Sequence, residues 1–236
     1  KGIESVVLPD SVIEISTGAF YNNKLSEIAI PDSVTHLYDS SFDFNQLSKI
    51  KLSQQLLEIP PHAFANNQLK EIVIPKGVKK IGEFAFFGNQ ILNLELPEGL
   101  LQVDPAAFSM NQIGELKLPQ SLLRIGESSF AGNLIVELNI PTGVKIIESA
   151  AFNKNKLKEV ILHHGLEEIW RRAFSNNQLE SMSLPSSVRE IGPYAFENNV
   201  LTQINIPSGV ETIWNNTFKN NKLVSMHVPQ TVKMIY

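Results

Sequence analysis

The chain has 236 residues, a formal net charge of −4 and no cysteine. With 20 basic against 24 acidic side chains there is no cationic excess to neutralise phosphates, which argues against a nucleic-acid partner. No apolar run approaches membrane-spanning length, so membrane insertion is not expected. The lack of cysteine excludes disulfide staples and thiolate metal sites, and is compatible with oxidising and reducing compartments alike.

A phenylalanine recurs every 22 residues, at Phe20, Phe42, Phe64, Phe86, Phe108, Phe130, Phe152, Phe174, Phe196 and Phe218. An asparagine follows each one three residues later, from Asn23 and Asn45 to Asn221. A strict period of this length predicts a solenoid in which each repeat forms one coil and buries its apolar side on its neighbours. Units begin at Ile3, Leu25, Leu47, Leu69, Ile91, Ile113, Ile135, Leu157, Leu179, Leu201 and Leu223. That gives ten full units and a partial one at 223–236, in a single domain spanning 1–236 that reads as a piece of a longer protein. Unit positions 1, 4, 6, 10 and 13 are aliphatic or Met in every copy.

Within a unit, taken in order, Glu27, Ile28, Ala29 and Ile30 alternate polar or small with apolar, which predicts a half-buried strand at positions 3–6. Pro at position 7, as at Pro31, ends it because proline cannot donate to a ladder. Asp32-Ser33 turns the chain, and Val34 to Leu37 form a second short extended segment. Position 15 holds Asp39, Pro61, Glu83, Pro105, Glu127, Ser149 and Pro193, residues suited to the first turn of a helix, so a short helical turn is expected there. The asparagine at position 21 fits either a left-handed cap closing that turn or a buried side chain bonding to the backbone of the next coil. Burial is favoured, because glycine never replaces it. The expected fold is therefore an α/β solenoid: one long parallel sheet from the position 3–6 strands, with short strands and helical turns on the other side.

The pattern L-x-x-I-x-I-P-x-S/G-V-x-x-I-x-x-x-A-F-x-x-N-x resembles the bacterial BspA-type leucine-rich repeats, as in LTQINIPSGVETIWNNTFKNNK (201–222) and LESMSLPSSVREIGPYAFENNV (179–200). The family's usual unit often carries Cys where this chain carries Asn. The resemblance implies a binding or adhesion array on an exported or surface-attached bacterial protein, extracellular or on the cell surface. It supplies no catalytic motif to map, and it implies no enzymatic activity and no cofactor.

Candidate functional residues are those the repeat does not demand. Position 3 reads Glu115, Glu137 and Glu159 in successive units, with Glu71 earlier, and Glu95 adds a carboxylate at position 5. This acidic ladder on the outward strand face is a candidate protein-binding surface, with Lys117 and Lys158 as its local counter-charges. Position 14 is usually small or polar, as at Gly82, Gly126 and Gly192, but Trp170 and Trp214 occupy it two coils apart, near Tyr194. Two rings about 10 Å apart with Gly192 between them form a candidate carbohydrate-stacking platform. The adjacent His163 and His164 would point to opposite faces of a strand and chelate one ion poorly, so no metal site is expected. The leading expectation is a non-enzymatic module recognising a protein or host-matrix partner, and the alternative is a carbohydrate-binding accessory module, for which a polysaccharide would be the partner.

Overall fold

A computed structural model describes residues 2–236. Each unit closes one coil, and coils stack in register, every strand pair being parallel. The inward columns at positions 1, 4, 6, 10 and 13 merge with the phenylalanines into one continuous apolar core. Phe42 through Phe196 are fully buried and their rings form a single stack along the solenoid. Successive centroids lie 5.2–5.9 Å apart, with interplanar angles of 3–13°.

The expected helical turns are absent: the described residues contain no helix. Positions 15–21 run instead as tight turns in which positions 16 and 20 take left-handed backbone angles, as at Ser40, Phe84, Arg172 and Tyr194 (φ 56°, 53°, 56°, 61°) and at Phe44, Met110 and Lys154 (φ 53°, 59°, 56°). The physical reason is spacing. A helix with its side chains is about 10–12 Å across, roughly twice the separation of the stacked rings, so a helix on every coil would splay the stack. The alternating turn aims its amides along the stack. In coil 6, the amides of Ser128, Phe130 and Gly132 donate to the carbonyls of Ser149, Ala151 and Asn153 in coil 7 at 2.9, 3.0 and 2.9 Å. Neither position ever holds Val, Ile or Thr, whose branched Cβ tolerates left-handed angles poorly.

The asparagine column is buried, as favoured from sequence, and it is not the left-handed residue. Asn133 is representative: its Oδ1 accepts from the amide of Ile113 at 3.0 Å, while its Nδ2 donates to the carbonyl of Phe130 at 3.1 Å and to that of Phe108, one coil back, at 2.9 Å. The same pattern holds from Asn45 to Asn221.

The sheet also differs from expectation. Strands at positions 3–5 pair only two by two: 27–29 with 49–51, 71–73 with 93–95, and 137–139 with 159–161. The longest continuous sheet is the seven-stranded one built from two-residue strands at positions 12–13, from Glu58–Ile59 to Glu190–Ile191. Pro at position 7 leaves the first strand room for few ladder bonds. The second is prolonged on both sides: position 11 amides bond back one coil (Leu101 N to Lys79 O, 2.9 Å), and so do those of position 14 (Gly126 N to Val103 O, 2.8 Å). The backbone from position 11 onward thus forms a rail whose ladder runs unbroken from coil 3 to coil 9, and the strand face is the looser side.

Where proline is missing from position 7, a side chain compensates. Ser53 Oγ donates to Val34 O at 2.6 Å and accepts from Gln55 N at 3.2 Å. His163 bonds Val144 O through Nε2 at 2.8 Å and accepts from Gly165 N through Nδ1 at 3.0 Å. The histidine is a turn clamp.

Three outcomes test this architecture by chemical or thermal denaturation. Phe130→Ala, in the middle of the ring stack, is expected to cost about 3–5 kcal/mol. Asn133→Ala is expected to cost more than about 2 kcal/mol, because the buried Ile113 amide loses its partner and the Phe108 carbonyl loses its link to the next coil. Ser129→Ala is expected to leave stability unchanged or raise it by up to about 1 kcal/mol, since the Ser129 hydroxyl is buried without a hydrogen-bond partner and most coils carry Ala there.

Candidate functional site

Strand-face side chains are set by the two-residue alternation: Ile28, Ile72, Leu138 and Val160 point inward, and positions 3 and 5 stand outward. Register then decides which outward groups meet. Glu27 faces Lys49, an opposite-charge pair, and Glu71 faces Asn93. Glu95 faces Val73, so it lies in a different column from Glu71. Glu137 faces Glu159 directly, and neither carboxylate has a cation within 4 Å among the described residues. Glu115 is salt-bridged to Lys117 at 2.7 Å, and this hydrogen bond holds its carboxyl below the usual carboxylate range. Lys158 makes no ion pair among the described residues.

Coil 6 does not join the strand ladder: residues 115–117 pair with neither 93–95 nor 137–139. A groove of about 460 Å³ opens there, lined by Glu115, Lys117, Val136, Glu137, Glu159 and Ile161 among others. Three of the five sequence-predicted carboxylates are thus brought together, beside the exposed aliphatics Val136 and Ile161. Glu71 and Glu95 lie outside this groove.

On the other side of the coil, position 14 follows a rule that the sequence reading missed. A side chain at position 14 reaches back to position 12 of the preceding coil: Tyr38 to Glu14 at 3.3 Å, Asp104 to Lys80 at 3.0 Å, Glu148 to Arg124 at 2.7 Å, and Trp214 to Glu190 at 2.5 Å. Trp170 instead donates to Glu168 of its own coil at 2.8 Å. Glu168 and Glu190 are register neighbours, so the two indoles are tethered to the same carboxylate column. Trp170 is 38% exposed and Trp214 is half-buried, stacked on Tyr236 with centroids 5.2 Å apart. Gly192 lies between them, and a Cβ there would come within 2.7 Å of Arg171 N and 2.9 Å of the Trp170 carbonyl carbon, so this coil packs flat on its neighbour. Tyr194 is half-buried, with the Arg171 and Arg172 guanidinium carbons 5.7 and 4.9 Å from its ring centroid and its hydroxyl accepting from Asn215 Nδ2 at 3.2 Å.

Among the described residues no group of three or more histidines or acids is placed to hold a metal ion, and no helix is long and apolar enough to cross a membrane.

The chain matches the family described as "BspA type Leucine rich repeat region (6 copies)" over residues 1–113, 57–135 and 124–236. Comparison with curated proteins gives no match. Among solved structures, the chain is similar to YopM from Yersinia enterocolitica, with a TM-score of 0.65 at 22% identity, covering 99% of this chain and 52% of YopM; it therefore spans about half the length of that protein. It is similar to the pneumococcal vaccine antigen PcpA, with a TM-score of 0.54 at 20% identity over 95% of this chain and 79% of PcpA. It is also similar to a leucine-rich cell surface protein from Faecalibacterium prausnitzii, with a TM-score of 0.53 at 18% identity over 95% of this chain and 82% of that one. At these identities the likeness is one of fold. The family match runs from one end of the sequence to the other, and the stacked coils carry its repeat: the chain belongs to the BspA-type leucine-rich repeat family.

Proposed function

We propose that this chain is a non-catalytic protein-binding module of a bacterial surface or exported protein, and that it takes a basic, extended segment of a protein or host-matrix partner on the strand face of coils 6–8. The observation that carries the reading is the Glu137–Glu159 pair. Like charges in direct register are destabilising by a few tenths of a kcal/mol or more, and among the described residues neither carboxylate forms an ion pair that offsets the repulsion. The comparable pair Glu168–Glu190, by contrast, has Arg189 and both indoles as partners. A cationic side chain docking between Glu137 and Glu159 would relieve the repulsion, and the adjoining Val136 and Ile161 would cover its aliphatic stem. The F. prausnitzii relative of the same fold is a cell-surface protein, which supports the proposed location. The phenylalanine and asparagine columns are accounted for by packing and coil closure, which leaves binding to the outward side chains.

Panning a random peptide display library on the protein is expected to enrich basic sequences with interspersed aliphatics. Those clones should lose most of their binding to an E115K/E137K/E159K variant and associate more slowly with wild type as salt is raised. Enriched clones that bind the variant as well as the wild type would place the interface elsewhere.

A further inference from the structure

The chain has four arginines, and they fall into two kinds. Arg124 is bonded to Asp104 and Glu148, and Arg189 to Glu167 and Glu168. Arg171 and Arg172 have no carboxylate within 4 Å among the described residues; both guanidiniums gather instead over the ring of Tyr194. Two cations drawn to one aromatic face with no anion present leave strong, planar hydrogen-bond donors unfilled. Their backbone is not loose. Arg172 and Tyr194 occupy the left-handed position 16, and their amides donate to Pro193 O at 3.1 Å and Asn215 O at 3.3 Å, within the continuous rail.

This cationic cluster is flanked by the two indoles. Trp170 precedes Arg171 in sequence, and Trp214 precedes Asn215, whose amide is bonded to the Tyr194 hydroxyl. The nearest acidic column is already engaged: Glu168 accepts from Trp170 Nε1 and pairs with Arg189, and Glu190 accepts from Trp214 Nε1. The carboxylates that would otherwise neutralise Arg171 and Arg172 are thus turned to other donors. The surface offers an exposed indole at Trp170 and a half-buried one at Trp214, whose one face is covered by Tyr236, with a flat step at Gly192 between them and an unneutralised double positive charge alongside.

We propose that Trp170, Arg171, Arg172, Tyr194 and Trp214 form a second binding site, distinct from the strand face, for an acidic polysaccharide. The indoles stack on the apolar faces of sugar rings, and the two guanidiniums take their carboxylate or sulfate groups. A neutral glycan would use the rings and leave the arginines unpaired. The site is independent of the acidic groove of coils 6–8, which would repel the same ligand.

The test is titration of the intact protein at low salt with polygalacturonate, with heparin, and with fully methyl-esterified polygalacturonate, read by tryptophan fluorescence and calorimetry. Polygalacturonate carries carboxylates alone and heparin carries sulfates in addition, so binding of heparin only would point to sulfate; the ester keeps the sugar chain and removes its charge. At least one polyanion is expected to bind, to perturb the fluorescence of the two tryptophans and to weaken as salt is raised, while the ester binds at least about tenfold less well. R171Q/R172Q should lose about tenfold or more in affinity, and R171K/R172K should recover part of it. These side chains lie outside the core, and circular dichroism would confirm that the variants fold. E137K/E159K should bind the polyanion no less well, which separates this site from the strand-face reading. Equal binding of ester and acid, unchanged binding by R171Q/R172Q, or no binding of either polyanion would each overturn the proposal.

Discussion

The buried asparagine amide at unit position 21 is the constraint on which the stack depends. It must donate twice and accept once, joining the start and end of its own coil to the phenylalanine carbonyl of the coil before. Only a primary amide carries two donors and an acceptor on so short a side chain; a carboxylate has no donors, and a hydroxyl has one. The bonds lie in the apolar interior beside the ring stack, where an unpaired amide or carbonyl would be costly. The column therefore sets the coil-to-coil spacing, and the phenylalanine ring beside it is held to the same period. Rings that stack face to face at every step then leave no room for a helix on any coil.

Two unequal sides follow. From position 11 to the end of the unit, coils are bonded to their neighbours through left-handed turns and asparagine amide, and from coil 3 to coil 9 through the strand ladder as well. At positions 3–5 the ladder is made two coils at a time and is missing at coils 1, 6 and 9. Backbone that bonds in pairs can open between pairs, and the groove beside Glu115 and Glu137 lies at one such opening. In this solenoid the rigid rail carries the architecture, and the looser face carries the variation available for recognition.

Charge placement separates the two faces in the same way. On the rail side, carboxylates and cations alternate from coil to coil: Lys80, Asp104, Arg124 and Glu148 form one chain, and Lys145, Glu167, Arg189 and Glu168 another. Exposed pairs of this kind contribute little individually, but they neutralise the face. Among the described residues, two clusters of like charge lie outside these chains, with opposite signs: Glu137 and Glu159 of coils 7 and 8, and Arg171 and Arg172. A repeat protein holds its outward positions free of packing demands, so departures from local neutrality there stand out more clearly than in a globular domain.

The sequence by itself determined the coil, its length and its core. An unbroken period with fixed aliphatic positions has one packing solution, and the burial of Phe42 to Phe196 and of the asparagines follows from it. The spacing of Glu115, Glu137 and Glu159 at one unit position likewise made their gathering readable, because register in a solenoid equals the repeat. What only the tertiary structure decided are features that depend on contacts between coils. Pro and acidic residues at position 15 carry a first-turn preference, yet the ring spacing overrode it and selected left-handed turns; the avoidance of branched residues at positions 16 and 20, and the Asn or Gly at position 20 in seven of ten coils, were the local traces of that choice. The splitting of the strand ladder at coil 6 has no local signature. Arg171 and Arg172 gather over Tyr194, a residue one coil away, while Arg189 finds carboxylates: side chains of the same kind part company according to which neighbour the next coil presents.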